Sequence, residues 1–303
     1  MPQSPKLLGF FFVCLATLCW SVANILIKFV MNAGVPPDEY VGFRTVIAFA
    51  FALTVVSIAA PAQLRITRRD VFYLAGYGVV VWALSPIIGT WSIKLNPVAI
   101  AVVLLYTSPL FTLAWSIAIG GERVEMYEIV AALMAIAGVV LISGAYDSAD
   151  FALSWPGLVV GLLAGLGLSF VTVFGKRGIA RLGPWTILCY GLGSASIVWI
   201  ASGTPFDFIR APHAPDVWAA VVGAAFLTAI LPVWFYLLGL RRISATEANI
   251  TAILEPLLTT GLAFALLAER LDAPQLAGAA ILLSGIAYLQ IRAGVSRAAA
   301  GGR

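Results

Sequence analysis

Long apolar segments, separated by short polar connections, dominate this chain of 303 residues. A helix that crosses a lipid bilayer needs about 20 mostly apolar residues, because its backbone amides must find partners within the segment. The pattern predicts ten such helices, over residues 7–30, 39–60, 71–93, 97–119, 126–144, 155–175, 184–202, 215–240, 245–267 and 273–291. We therefore expect an all-α membrane protein with ten transmembrane helices, followed by a disordered tail over residues 295–303.

The second half of the sequence repeats features of the first half at a fixed distance. Pro109 recurs as Pro256, and Gly138 recurs as Gly285, in each case 147 residues later (256 − 109 and 285 − 138). Internal duplication of an apolar unit is typical of secondary transporters, in which the substrate site lies between the two repeats.

The duplication predicts two units, over residues 1–148 and 149–294. Each unit contains five predicted helices, and because five is an odd number the second unit enters the membrane from the opposite side. We therefore expect two inverted five-helix repeats, related by an axis in the membrane plane.

Composition supports a membrane location. Hydrophobic residues make up 61% of the chain and charged residues 11%, whereas soluble domains contain about 25% charged residues. The partners we expect are the lipid bilayer and a small-molecule substrate, with a monomer as the working expectation for the oligomeric state. The sequence has no HExxH, GxSxG or phosphate-loop motif, so we expect no enzyme activity, no cofactor and no metal.

The basic residues predict the orientation in the membrane and account for the net charge of +4. If the N-terminus is cytoplasmic, thirteen of the 18 lysines and arginines lie on the inner side and four on the outer side, which are Lys28, Lys94, Arg210 and Arg270. Cytoplasmic connections carry the excess of positive charge in membrane proteins. Both termini are therefore expected in the cytoplasm, and the basic residues need no nucleic acid to explain them.

Glu255 is the strongest candidate for a functional side chain, because it lies near the middle of the predicted helix 245–267. A carboxylate at that depth costs at least about 2.5–3.5 kcal/mol unless it faces protein or water. Two interpretations stay open. Glu255 either lines the transport pathway, as the partner of a substrate ammonium or as a proton-coupling site, or it pairs with Arg44 inside helix 39–60. Glu247, near the start of the helix, is expected to be solvated or interfacial.

Four prolines lie inside predicted helices at equivalent or nearly equivalent positions of the two halves. Pro109 and Pro256 form one pair, and Pro86 and Pro232 form the other. A proline inside a helix removes a hydrogen bond and kinks the helix. Kinked helices at matching positions point to the substrate site of a transporter, although the kinks also admit a role confined to helix packing.

Aromatic and small polar side chains concentrate beside these prolines. An indole N–H in hydrocarbon requires a partner, so tryptophans in mid-helix indicate a cavity rather than an interface. Together with Glu255, the candidate substrate-binding residues are Trp20, Asn24, Trp82, Tyr106, Ser108, Ser169, Trp234 and Asn249.

These motifs, taken in order, resemble the drug/metabolite transporter superfamily in its EamA-type ten-helix branch. The resemblance covers nearly the whole chain and is carried by the run Trp20-Ser21-x-x-Asn24-x-x-x-Lys28, Arg44, the blocks Ser108-Pro109-Leu110-Phe111-Thr112 and Gly121-Glu122-Arg123, and the second copies Glu255-Pro256, Glu269-Arg270 and Gly285. Within the branch, the aromatic and polar residues of the central helices are similar to those of bacterial aromatic amino-acid exporters.

The resemblance implies a multi-pass protein of the bacterial inner membrane that exports small amphipathic metabolites, amino acids among them, by alternating access. An exporter of drugs or organic cations is the first alternative, and a passive channel is the second. Helix 7–30 contains no acidic residue, so it lacks the embedded glutamate that small multidrug exporters of the superfamily use for proton exchange.

Overall fold

The computed structural model describes residues 5–120, 124–147, 154–267 and 272–301, and every regular element in these ranges is helical. The first half contains the α-helices α1 (Pro5–Asn32), α2 (Pro37–Ala59), α3 (Arg68–Gly78), α4 (Ser85–Leu95), α5 (Val98–Leu105), α6 (Ser108–Trp115) and α7 (Met126–Ile142). The second half contains α8 (Trp155–Ile179), α9 (Pro184–Ser202), α10 (Thr204–Arg210), α11 (Pro215–Ala225), α12 (Leu231–Leu240), α13 (Ala245–Ala252), α14 (Leu254–Leu267) and α15 (Ala273–Gly301).

Eight helical segments of the described chain are long and apolar enough to cross a membrane. They are Lys6–Asn32, Pro37–Ala59, Arg68–Leu95, Ala99–Ile119, Trp155–Ile179, Pro184–Ser202, Pro215–Leu240 and Ala273–Ala293. Helix α7 is a shorter apolar helix of 17 residues. The predicted helix 245–267 is divided at Ile253 into α13 and α14. Helix α15 continues to Gly301 and so includes residues of the predicted tail, where an alanine-rich sequence favours helix.

Large apolar side chains cover the outside of the bundle. Ile58 and Phe72 are 79% and 80% exposed, and Ile117 and Ile197 are 69% and 71% exposed. An outward-facing apolar surface of this extent is unstable in water and stable in lipid. The structure therefore agrees with the composition in describing a multi-pass membrane protein.

The helices of the two halves pack against each other rather than forming separate bundles. Helix α1 contacts α11 to α14, α2 contacts α9, and α8 contacts α4 to α6. Helices α7 and α15 approach most closely where Gly138 and Gly278 face each other, since a Cβ atom at either glycine would lie 2.8 Å from the carbonyl oxygen of the other. Small residues permit this close approach of helix backbones in membranes. The centre of the bundle is consequently built from both halves.

Helices are interrupted just before each of the four prolines. A π-helical segment, Val79–Leu84, precedes Pro86, and a second one, Phe226–Ile230, precedes Pro232. The other two interruptions separate α5 from α6 before Pro109 and α13 from α14 before Pro256. In all four places the proline follows within the first three residues of the next helix, where its missing N–H costs least.

Glu247 is not solvated, and the expectation of a solvated side chain is wrong. Its side chain is 2% exposed, and its Oε1 atom accepts a hydrogen bond of 2.6 Å from Nζ of Lys6. Its other oxygen accepts from the backbone N–H of Ser244, which caps α13. The local sequence shows the helix cap but not Lys6, which comes from the far end of the chain. The ion pair therefore closes the end of the bundle where the N-terminus lies.

Candidate functional site

The carboxylate of Glu255 faces the interior of the bundle, one residue after the start of α14. Nδ2 of Asn24 donates a hydrogen bond of 3.0 Å to its Oε1 atom, and the hydroxyl of Tyr106 lies beside the carboxylate. Ser21 Oγ donates to the Glu255 carbonyl oxygen at 3.1 Å. The helix interruption before Pro256 is therefore joined to α1 and to the matching interruption of the first half, which contains Tyr106.

A chain of hydrogen bonds continues from this point through four helices. Ser108 Oγ donates to Oδ1 of Asn249 at 2.9 Å, and Nδ2 of Asn249 donates to Thr172 Oγ1 at 3.0 Å. The hydroxyls of Thr172 and Tyr236 are 2.8 Å apart. These residues are all buried, and the oxygen and the nitrogen of the Asn249 amide both have a hydroxyl partner in the interior of the bundle.

Trp20 completes this group. Its ring centroid lies 5.6 Å from that of Tyr236, with the planes tilted by 55°, within the range of favourable aromatic pairs. The central polar cluster consists of the side chains of Trp20, Asn24, Tyr106, Ser108, Thr172, Tyr236, Asn249 and Glu255.

Two carbonyl groups left free by prolines bind indole N–H groups. Because Pro232 has no N–H, the carbonyl of Thr228 loses its usual helical partner four residues later, and it accepts from Trp20 Nε1 at 3.0 Å. In the first half the carbonyl of Trp82, four residues before Pro86, accepts from Trp199 Nε1 at 3.0 Å. In both places a tryptophan binds the carbonyl that the proline leaves without its helical partner.

Arg44 contacts Thr228 and not Glu255. Its side chain is buried, with 8% exposed, and Nη1 donates a hydrogen bond of 2.6 Å to Thr228 Oγ1. The guanidinium also lies 5.5 Å from the ring centroid of Tyr40. No ion pair joins Arg44 to an acidic residue in the described ranges. Arg44 is thus a buried charge, and Glu255 a partly buried one, without an ionic partner among the described residues.

Three candidate residues lie away from the central polar cluster. Trp82 packs beside Gly191 of α9. The ring of Trp234 contacts that of Trp185 at 6.2 Å, and its indole N–H has no hydrogen-bond partner. Ser169 is buried and donates back to the Leu166 carbonyl of its own helix.

The paired prolines also differ in position. Pro109 and Pro256 directly follow Ser108 and Glu255 of the central polar cluster. Pro86 instead lines an outer groove of about 470 Å³ between α2, α4 and α9, whose polar lining includes Asp38 and Lys94. The two motifs Gly121-Glu122-Arg123 and Ala268-Glu269-Arg270, by contrast, lie outside the described residues.

Thr228, Thr172 and Tyr236 are not among the candidate substrate-binding residues predicted from the sequence. Thr172 and Tyr236 do belong to the aromatic and small polar side chains that lie beside the kinks. Tyr236 is two residues from the candidate Trp234, which places the two side chains on opposite sides of α12. Thr228 lies four residues before Pro232, so its position in the sequence indicates a free carbonyl. The contact of Thr172 with Asn249, 77 residues away, is not visible in the sequence.

The site offers hydrogen bonds, one carboxylate and aromatic surfaces. In the described chain no group of three or more His, Cys, Asp or Glu side chains is placed to hold a metal ion. Amide and hydroxyl groups can bind the polar part of a small molecule, while the rings of Trp20 and Tyr236 can contact its apolar part. The chemistry is that of a binding site for an amphipathic molecule.

Comparison with known proteins finds transporters of similar sequence. An uncharacterized transporter of Archaeoglobus fulgidus is 28% identical over 197 residues, which is 64% of this chain and 68% of that protein. The uncharacterized transporter YcbK of Bacillus subtilis is 24% identical, over 94% of this chain and 95% of YcbK. The pseudopaline exporter CntI of Pseudomonas aeruginosa is 26% identical, over 91% of this chain and 93% of CntI.

The fold has a counterpart of known crystal structure. It superimposes with a TM-score of 0.77 over 95% of this chain and 96% of the other, at 20% identity, which establishes a likeness of fold. A model of the EamA-like transporter family matches residues 7–144 and, a second time, residues 155–290. Because the two matches cover most of the sequence, the chain belongs to the EamA-like transporter family, within the drug/metabolite transporter superfamily.

Proposed function

We propose that this protein is a secondary transporter that exports small amphipathic metabolites, and that amino acids, including aromatic ones, are its substrates. The observation that carries the proposal is the carboxylate of Glu255, which the neutral amide of Asn24 binds and beside which Tyr106 lies. An interior carboxylate without a cationic partner among the described residues has free capacity to bind the ammonium of a ligand.

The surroundings of Glu255 fit the rest of such a ligand. Trp20 and Tyr236 present aromatic surface, while Ser108 and Asn249 present polar groups at the neighbouring helix interruption. Apolar pockets with a few convergent polar groups are typical of small-molecule sites. The direction of transport, export, is supported by the pseudopaline exporter among the relatives.

For the membrane arrangement we propose ten spans in two inverted repeats, with both termini in the cytoplasm of a bacterium and the protein in its inner membrane. The eight long segments, the short helix Met126–Ile142 and the divided segment 245–267 supply ten helical units. The family model that matches twice and the distribution of lysine and arginine support the repeat and the orientation.

The proposed mechanism is alternating access. At the end of the bundle where the N-terminus lies, Lys6 is paired with Glu247. Nζ of Lys176 donates to the carbonyls of Leu240 and Ile243 at 2.5 and 2.6 Å. The ion pair joins α1 to α13, and the hydrogen bonds of Lys176 join α8 to the end of α12 and to the connection that follows it. Opening towards the cytoplasm would require them to separate, as a repeat that rocks around a central site would do.

Two other functions compete with this proposal. An exporter of organic cations is favoured by Glu255 considered alone, because a carboxylate binds any cation. A passive channel would use the same interior without a binding step. A binding screen with zwitterionic and cationic ligands distinguishes an amino-acid exporter from an exporter of organic cations. A measurement of substrate exchange between the two sides of a membrane distinguishes a transporter from a passive channel.

The test of the proposal is an uptake screen with the purified protein in liposomes. Radiolabelled amino acids and organic cations are offered with and without a pH gradient, and empty liposomes serve as the control. We expect saturable uptake of one or more amino acids, with aromatic ones among them, whether or not the gradient accelerates it. Saturable uptake of organic cations with none of any amino acid would contradict the proposed substrate class.

A further inference from the structure

Arg44 is a charged side chain in the protein interior that lacks a counter-charge among the described residues. It is more than nine-tenths buried, and its Nε atom has no hydrogen-bond partner in that part of the chain. The guanidinium contacts the neutral groups of Thr228 and Tyr40. Burying a guanidinium without an anion is costly. Intramembrane charges that the fold does not neutralise mark substrate or ion pathways.

Contacts with α1 connect Arg44 to the site around Glu255. Trp20 binds the carbonyl of Thr228, whose hydroxyl accepts from Arg44, and Asn24 binds the carboxylate of Glu255. Trp20 and Asn24 are four residues apart in α1, so they lie on one face of the helix, about 5–6 Å apart. The contacts that lead to Arg44 and to Glu255 therefore start from one face of α1, at residues one helical turn apart.

We infer that Arg44 is the binding residue for a carboxylate of the substrate and that the ligands of this protein are zwitterions held between Arg44 and Glu255. This inference rests on the proposed function, since it assigns the charges of the same ligand. The planar guanidinium suits a carboxylate, and its unused Nε–H is one of the donors that such a ligand would bind. Thr228 is a positioning residue, because its hydroxyl holds Nη1 of Arg44.

A zwitterion site and a site for organic cations differ in the ligands that they prefer. A cation binds Glu255 alone, whereas a zwitterion binds both Glu255 and Arg44. Removing the carboxylate of the ligand should therefore weaken binding even though the ammonium and the aromatic ring remain. We expect a loss of at least about ten-fold, which corresponds to about 1.4 kcal/mol.

The test is a binding measurement on the purified full-length protein, which does not depend on transport. Phenylalanine, phenylalanine amide, phenethylamine and 3-phenylpropionate are titrated, and affinity is taken from the rise in melting temperature. The wild type should bind phenylalanine at least ten-fold more tightly than each of the other three. Arg44→Gln should bind phenylalanine and its amide equally, and Glu255→Gln should bind phenylalanine and 3-phenylpropionate equally.

Two further variants keep the result interpretable. Arg210→Gln, at an exposed arginine paired with Asp207, should keep the full preference of the wild type. Thr228→Val should reduce the preference for phenylalanine over its amide without abolishing it. If Arg44→Gln does not fold, the wild-type comparison and Thr228→Val decide. Equal binding of phenylalanine and its amide by the wild type, no binding of any of the four ligands, or an unchanged preference in Arg44→Gln would overturn the inference.

The same data distinguish this inference from the proposed function. Ten-fold preference for phenylalanine without uptake into liposomes would refute transport and leave the zwitterion site in place. Uptake of amino acids with no role for Arg44 in ligand choice would refute the inference and leave transport in place.

Discussion

Replacing each of two interior glutamates by glutamine shows which of the two charges stabilises the fold and which binds the ligand. Glu247 forms an ion pair with Lys6 at 2.6 Å, whereas Glu255 accepts a hydrogen bond from the neutral amide of Asn24. The two carboxylates are eight residues apart in the chain, and both substitutions keep the size and shape of the side chain. Each variant therefore serves as the matched control of the other.

The structure predicts different losses in the free energy of unfolding for the two substitutions. In Glu247→Gln the ammonium of Lys6 stays largely buried without its partner, and breaking a buried pair in this way costs about 3–5 kcal/mol. In Glu255→Gln the hydrogen bond from Asn24 changes from a charged to a neutral acceptor, a loss of about 1 kcal/mol. The free energy of unfolding should therefore fall more in Glu247→Gln than in Glu255→Gln.

Ligand binding should change in the opposite order. Glu255→Gln removes the proposed partner of the substrate ammonium, so the affinity for amino acids and their uptake should fall at least ten-fold. Glu247→Gln leaves the central polar cluster intact, so the folded fraction should keep the wild-type affinity. Melting temperature in detergent and ligand-induced stabilisation are measured on the same preparations. If Glu255→Gln is as unstable as Glu247→Gln and binds ligand normally, Glu255 is a structural residue and the reasoning is refuted.

Two further predictions concern orientation and ligand choice. After removal of the native cysteines, a cysteine at Ser148 should react with an impermeant reagent in whole cells and one at Arg68 should not, because the basic residues place Arg68 in the cytoplasm; the reverse pattern would overturn the orientation. Trp20→Ala and Tyr106→Ala should each weaken uptake of aromatic amino acids more than that of small ones, by about 0.5–1.5 kcal/mol beyond the buried area. Trp155→Ala, at an exposed position, should not change this selectivity, and a uniform loss across all substrates would show that Trp20 and Tyr106 support the fold.

The sequence predicted the helical class and the sites of interruption because these depend on local properties. Apolar length selects the membrane helices, and a proline such as Pro109 or Pro256 excludes a regular helix before it whatever surrounds it. The depth of Glu255 follows from counting residues along its helix. These features needed no knowledge of tertiary contacts.

The partners of each side chain were not available from the sequence. Lipid-facing and protein-facing sides of these helices are both apolar, so the pattern does not reveal which side faces inward. For this reason Trp234 was selected and Tyr236, on the other side of α12, was not. Arg44 and Lys6 meet their contacts, Thr228 and Glu247, 184 and 241 residues away.

Counterflow in liposomes tests the central claim most directly. Vesicles containing the purified protein are loaded with a high concentration of an unlabelled amino acid that the uptake screen identifies, and a trace of the labelled compound is added outside. A transporter that alternates around one binding site should accumulate the label transiently above its equilibrium level, and Glu255→Gln should reduce the overshoot. Entry of label that rises monotonically to equilibrium, unaffected by the unlabelled amino acid inside, would identify a passive channel and contradict the account.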